Sequence, residues 1–251
     1  MFAGTAEISF DGLEPLFRVR QTPRDSQAWK GAIMLTDKHV AQLNEFLERI
    51  ERDTYPEPPT PGHTQITEQM LEALLTAYPL APGSRVLDVG CGQGVALELF
   101  QQRGFEATGV ALGDEDVRAA TAKGLRVFKM DQSFLDFEDD SFELIWSRHC
   151  LEHSIFPYFT LWGMRRVLKP GGGLYVEVPA PETSCKHETN PNHYSVLPHG
   201  MWRELFERSG FDLLEAQTLD LTTSAGPDTY WAFFMQLRAD GAGALHPDWR
   251  D

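Results

Sequence analysis

The chain has 251 residues, of which 42% are hydrophobic and 24% charged, and this suits one globular α/β domain with an N-terminal extension and a sizeable core. Its formal net charge of −15 would repel a phosphate backbone, so nucleic acid is not an expected partner. No stretch approaches the apolar length of a membrane span and the start lacks a signal-peptide pattern, so we expect a cytoplasmic protein without membrane contact.

The N-terminal extension, residues 1–62, is predicted to be a helical cap that ends in a stiff linker. Thr36 is a good N-cap residue, and apolar residues at helical spacing follow it, which predicts a helix there. Residues 54–62 contain four prolines and a glycine, a composition that predicts a linker. A second helix is predicted over 65–78. We therefore place a second domain at 63–251.

From residue 85 onwards, strand patterns alternate with helix patterns. The predicted strands are 86–89, 107–110, 125–130, 142–146, 173–178, 211–219 and 230–237. The predicted helices between them are 95–102, 115–123, 158–168 and 201–209. This alternation indicates a doubly wound, mostly parallel sheet, whereas the last two strands indicate a hairpin joined by Ser224 to Pro227. The predicted fold class is therefore α/β, with a seven-stranded, mostly parallel sheet and a C-terminal antiparallel hairpin.

A glycine-rich turn follows the first predicted strand. Asp88, Gly90, Gly92 and Gly94 form the pattern Asp-x-Gly-x-Gly-x-Gly between a strand and a helix. Because glycine has no Cβ and tolerates positive φ, such a turn can bring its N–H groups directly against a ligand. The third glycine comes one residue earlier than in the dinucleotide-binding pattern. The turn instead resembles motif I of the class I S-adenosylmethionine-dependent methyltransferases, which implies S-adenosylmethionine as the cofactor.

The resemblance implies cofactor-binding residues at four successive strand ends. In the family, the motif I turn holds the methionyl group, an acid after the second strand binds the ribose, and an acid after the third strand binds adenine. Here Ala111 and Leu112 stand at the ribose position, so backbone groups, Asp114 or Glu115 would have to replace the usual acid. The implied cofactor-binding residues are Asp88, Gly90, Cys91, Gly92, Gly94, Ala111, Leu112, Asp131, Gln132 and Ser147.

Two histidines are candidates for a catalytic base. His149 follows the fourth strand in a segment that resembles the family motif around Leu-Glu-His, and His193 lies in the long segment after the fifth strand. An imidazole of near-neutral pKa suits a hydroxyl acceptor, whereas an amine or carbon acceptor needs only desolvation. His153, in the same motif, is expected to cap or pack at the start of the next helix.

Cysteine and histidine residues after the fifth strand could also bind a metal. Cys185, His187 and His193 are chemically suitable ligands, but their spacing matches no zinc pattern. Methyl transfer from a sulfonium requires no metal, so we predict none. Cys91 and Cys150 have no Cys-x-x-Cys partner, and all three cysteines are expected to be reduced thiols.

These residues together predict a methyltransferase that acts on a small molecule by in-line displacement. A methyltransferase acting on a protein, peptide or RNA is an alternative, although the acidity of the chain disfavours it. A cofactor-binding regulatory module without catalysis is a second alternative, which Ala111 at the ribose position favours. A nicotinamide-dependent dehydrogenase is the third. The acceptor and the oligomeric state are left open.

Overall fold

The structure is a computed structural model that describes residues 35–56 and 58–239. The helices are α1 Asp37–Arg52, α2 Pro61–Ala77, α3 Val95–Gln102, α4 Asp114–Ala122, α5 Pro157–Val167 and α6 His199–Arg208. The strands are β1 Arg85–Val89, β2 Glu106–Ala111, β3 Val127–Lys129, β4 Phe142–Arg148, β5 Leu168–Pro179, β6 Phe211–Thr223 and β7 Gly226–Leu237. The part of the predicted cap that comes before residue 35 lies outside the described residues.

The seven strands within the described residues belong to one sheet, in the order β3-β2-β1-β4-β5-β7-β6. The five strands from β3 to β5 are mutually parallel. β7 runs antiparallel to both of its neighbours, β5 and β6. The predicted fold class, with its C-terminal hairpin, is thereby confirmed.

Helices pack on both faces of this sheet. Successive side chains of a strand point to opposite faces, and accordingly Leu87 and Val89 belong to one hydrophobic cluster while Val86 belongs to the other. The first cluster includes residues of α5 and α6, and the second includes residues of α2, α3 and α4. Strands that are buried on both faces suit a parallel sheet. The carboxyl ends of β1, β2 and β4 consequently meet at one edge, which is where such sheets bind ligands.

Two element boundaries differ from the predicted ones for identifiable reasons. α2 begins at Pro61, before the predicted start, because the Thr60 side chain accepts a hydrogen bond from the backbone N–H of His63 and proline suits the first helical position. The last residues of the predicted linker are therefore helical. β5 begins at Leu168 because Leu168 pairs with Phe142 across a register shift.

The chain divides into two compact units, one that ends at Asn44 and one that begins at Glu45. Every site described below is built from residues of the second unit. Among the described helices, none combines the length and the apolar character needed to cross a membrane.

Candidate cofactor and acceptor site

A cleft opens at the carboxyl ends of β1, β2 and β4. It has two neighbouring compartments, and Gly90, Gly92 and His149 line both of them. The larger compartment is bordered by the segments that follow β2, β3 and β4 and by the end of α1. The smaller compartment lies between the glycine turn and the start of α2. The three shared residues therefore mark the junction of the two compartments.

The glycine turn has the backbone geometry that its sequence predicts. Gly90, Gly92 and Gly94 have φ values of 83°, 48° and 86°, the left-handed region that favours glycine. A Cβ on Gly90 would lie 2.6 Å from the side chain of Cys150, so no larger residue fits there. A Cβ on Gly92 would meet no atom within 4 Å, and Gly92 lines the cleft. The turn is thus packed behind Gly90 and open towards the cleft at Gly92.

The smaller compartment contains a buried carboxyl group and a buried guanidinium group. Asp88 and Arg148 both line it, and they are 3% and 8% exposed. Burial raises the pKa of Asp88 to about 8, although the Arg148 charge acts in the opposite direction. A cationic ligand group beside Asp88 would favour its ionised form, because an opposite charge at close range stabilises a carboxylate.

The larger compartment contains the predicted ribose and adenine positions. Ala111, Leu112, Asp131 and Gln132 all line it. Asp114 and Glu115, the predicted substitutes for the ribose acid, do not line it, and Asp114 forms an exposed ion pair with Lys129 at 2.9 Å. Asp116, two residues further on in the first turn of α4, does line the compartment. Sequence reasoning missed Asp116 because three consecutive acids begin this helix.

Two of these side chains also have partners within the protein. The Asp131 carboxylate accepts a hydrogen bond of 2.7 Å from the backbone N–H of Ser133. The Gln132 side-chain amide donates to the Cys150 carbonyl at 2.9 Å. Both side chains therefore hold the loop after β3 in place as well as facing the cleft.

Behind the cleft, a buried carboxylate joins three polar side chains. Glu177 on β5 is 1% exposed and lies opposite Arg148 in the register of β4 and β5. Its Oε1 atom lies 2.8 Å from Nε of Arg148 and 2.7 Å from Nε2 of His149. Its Oε2 atom accepts a hydrogen bond of 2.7 Å from the hydroxyl of Tyr175. Arg148 also donates to the Thr67 hydroxyl at 2.7 Å, which connects α2 to this cluster.

The cluster fixes the charge of Glu177 and the orientation of His149. Burial alone would raise the pKa of Glu177, but the His149 hydrogen bond and the Arg148 charge outweigh burial and lower the pKa to about 2. An ionised carboxylate can only accept hydrogen bonds, so Nε2 of His149 carries the proton shared with Glu177. Nδ1 of His149 is then the nitrogen that can accept a further proton.

We expect Glu177→Gln to lower the free energy of unfolding at pH 7 by about 3 kcal/mol, since it leaves the Arg148 charge buried without its counter-ion. The folded-state pKa of about 2 lies below the ordinary value of 4.5, so the carboxylate stabilises the fold above pH 4.5 and loses that effect as the pH falls towards 2. Urea unfolding of both proteins should therefore show a difference that shrinks on acidification. Glu207→Gln, at an exposed position of α6, is the matched control; an equal loss there would contradict the assignment.

The other predicted residues lie in different surroundings. Cys91 lines the smaller compartment, whereas Gly94, Ser147 and His193 line neither compartment. The His193 ring instead packs against His153 and His187, at centroid distances of 4.7 Å and 5.7 Å. Burial first, and then its histidine neighbours, lower the pKa of His193 to about 4. Of the two predicted bases, the structure thus places His149 in the cleft and His193 behind it.

Two segments that are far apart in the sequence form a rim of the larger compartment, and the sequence did not predict this rim. Tyr55, Asn192 and Tyr194 line the larger compartment. The Asn192 side chain donates to the Asp53 carbonyl at 2.6 Å, and the Asn190 side chain donates to the Tyr55 hydroxyl at 3.2 Å. These bonds join the end of α1 to the segment after β5. The predicted linker residues at 54 and 55 therefore contribute to the site.

A family model described as "Methyltransferase domain" matches residues 63–216. This match covers the glycine turn, both compartments from α2 onwards and most of the sheet. The fold, the turn and the family match agree. The chain therefore belongs to the class I S-adenosylmethionine-dependent methyltransferase family.

Two curated relatives and one solved structure illustrate the similarity. The chain is 28% identical to the 27-O-demethylrifamycin SV methyltransferase of Amycolatopsis mediterranei over 47% of this chain and 48% of the relative. It is 30% identical to the ubiquinone biosynthesis O-methyltransferase of Xanthomonas oryzae pv. oryzae over 55% of this chain and 60% of the relative. The chain thus spans about half the length of these relatives. An S-adenosylmethionine-dependent methyltransferase structure from Archaeoglobus fulgidus matches with a TM-score of 0.58, at 18% identity, over 77% of this chain and 99% of the other.

Proposed function

We propose that this protein transfers a methyl group from S-adenosylmethionine to a hydroxyl group of a small molecule, with His149 as the general base. The observation that carries the proposal is the His149–Glu177 hydrogen bond of 2.7 Å at the junction of the two compartments. A carboxylate that orients an imidazole and stabilises its charged form is the usual partner of a histidine base.

The cleft suits the family cofactor. Gly92 leaves open space where any side chain would project, and the buried Asp88 lines the smaller compartment beside the glycine turn, which holds the methionyl group in the family. In the larger compartment, Asp116 would bind the ribose, and Asp131 and Gln132 would bind the adenine. S-adenosylmethionine, when bound there, supplies an electrophilic methyl group on a positively charged sulfur. These residues would hold that methyl group near the compartment junction, where His149 lies.

In the proposed reaction, the bound cofactor would supply its methyl group to the acceptor oxygen, with S-adenosylhomocysteine as the second product. The acceptor proton moves to Nδ1 of His149, and Glu177 stabilises the resulting imidazolium through Nε2. His149 has φ of 51°, a conformation that costs a non-glycine residue about 1 kcal/mol or more and is concentrated at functional sites. Because the transfer is a direct displacement, most of the catalysis would come from alignment of the acceptor with the methyl group.

The rim formed by Tyr55, Asn192 and Tyr194 lines the larger compartment, which also contains the proposed ribose and adenine positions. Two aromatic rings and one amide there favour a small acceptor with apolar surface beside the cofactor. Apolar walls with a few placed polar groups are typical of small-molecule sites. The names of both curated relatives describe methyl transfer to an oxygen of a small molecule, which supports the same acceptor class here.

The test is a product assay over a panel of phenols, catechols, alcohols and amines. We expect S-adenosylmethionine to raise the melting temperature of the protein, and S-adenosylhomocysteine to form only with hydroxyl-bearing acceptors. Cofactor binding without turnover on any acceptor would favour the regulatory module. Turnover on amines alone would contradict a hydroxyl acceptor.

A further inference from the structure

We infer that Cys185, His187 and Asp228 form a binding site for a zinc-like divalent cation, on the other side of the Tyr230 ring from His149. One donor atom from each residue, a thiol sulfur, an imidazole nitrogen and a carboxylate oxygen, lies within 4.8 Å of the other two. Donor atoms around a tetrahedral zinc ion lie about 3.5 Å apart, given its bond lengths of about 2.0 to 2.3 Å. The three side chains would therefore need only small rotations to bind the ion.

The fold brings these donors together from two separate segments. Cys185 and His187 come from the segment after β5, and Asp228 comes from the start of β7. Two backbone hydrogen bonds connect that segment to β7, from Ala180 N–H to the Thr229 carbonyl at 2.9 Å and from Ser184 N–H to the Pro227 carbonyl at 3.2 Å. The donors are thus held at a fixed junction of the fold.

Burial and local backbone geometry favour a site over an ordinary surface pair. The side chains of His187 and Asp228 are 12% and 1% exposed, and Nε2 of His187 lies 3.0 Å and 3.1 Å from the two carboxylate oxygens of Asp228. Lys186, the residue between the two ligands on the chain, has φ of 50°. This left-handed conformation carries a cost in a non-glycine residue and is retained where the surroundings enforce it.

The donor set selects the ion by its chemistry. Thiolate and imidazole are the ligands that zinc prefers, whereas magnesium and calcium prefer oxygen. Three protein ligands leave a fourth coordination position for water or an acceptor group.

The His187 ring lies 5.3 Å from the Tyr230 ring, which lies 4.5 Å from the His149 ring. A bound ion would therefore stabilise the wall behind the proposed base.

A second donor group, formed by Glu152, His153 and His193, lies close by, since the rings of His187 and His193 are stacked. It contains no thiol, so the two groups can be distinguished by spectroscopy. Cobalt(II) bound by Cys185 would show thiolate-to-metal charge-transfer absorption, whereas cobalt bound by the second group would not.

The experiment is a titration of the full chain, freed of metal, with zinc chloride by calorimetry and with cobalt(II) by absorption. We expect one ion per chain, a charge-transfer band, and zinc binding weakened by at least about tenfold in Cys185→Ser and His187→Ala. His199→Ala, which removes a histidine that packs on Trp231 of the same strand, should bind zinc normally.

Absence of the charge-transfer band in the unmodified protein would overturn the site, even if a variant failed to fold. Zinc binding that survives Cys185→Ser but is lost in His193→Ala would place the ion in the second group instead. Neither readout uses turnover or S-adenosylmethionine, so the result is independent of the proposed methyl transfer.

Discussion

Gly92→Leu is expected to weaken S-adenosylmethionine binding by at least about 100-fold, which corresponds to about 2.7 kcal/mol. A Cβ at this position meets no protein atom within 4 Å, so the fold itself tolerates the added atoms. The leucine side chain would instead project into the junction of the two compartments, which Gly92 lines on both sides. Calorimetric titration with the cofactor measures the effect.

In Gly92→Leu, the effect of backbone strain on stability must be distinguished from the effect of the leucine side chain on cofactor binding. Gly92 has φ of 48°, a conformation in which an ordinary residue costs about 1 kcal/mol or more. Gly104 has φ of 82°, a Cβ there also meets nothing within 4 Å, and it lines neither compartment. Gly104→Leu should therefore lose stability similarly but keep cofactor affinity. Normal affinity in Gly92→Leu would remove the glycine turn from the binding site.

The sequence predicted the sheet well because each strand carries its own signal. Short apolar runs between helical patterns predicted β1, β2, β4 and β5 to within a few residues at most ends, and the two β-rich runs at the end of the chain predicted the hairpin. The start of α2 was missed although the adjacent Thr60 and Pro61 determine it, whereas the start of β5 depends on another part of the chain. The start of β5 is set by the pairing of Leu168 with Phe142, and no local pattern contains that information.

The site could be predicted only where its residues share a motif. Gly90 and Gly92 belong to one short turn, and both line the cleft. Glu177 lies 28 positions after His149 in the chain and contacts it only because β4 pairs with β5. Similarly, Cys185 and His187 are close in the sequence, but the third donor of the proposed metal site, Asp228, comes from β7. Ligand sets that cross strands become visible only once the register is known.

His149→Ala is expected to lower kcat by about 10² to 10⁴ while S-adenosylmethionine affinity changes by less than about threefold, the usual effect of removing a general base. Glu177 keeps its Arg148 partner in this variant, at 2.8 Å, so the buried charge remains paired and the fold should persist. Steady-state kinetics and cofactor calorimetry measure both quantities.

The conformation of residue 149 decides how this variant is interpreted. Its φ of 51° suits asparagine better than alanine, because asparagine adopts the left-handed region more readily. His149→Asn therefore keeps the backbone in place without supplying a base, and a base role requires kcat to fall equally in both variants. Recovery of kcat in His149→Asn would indicate a structural role for His149. His39→Ala, at an exposed position of α1, should leave kcat and KM unchanged.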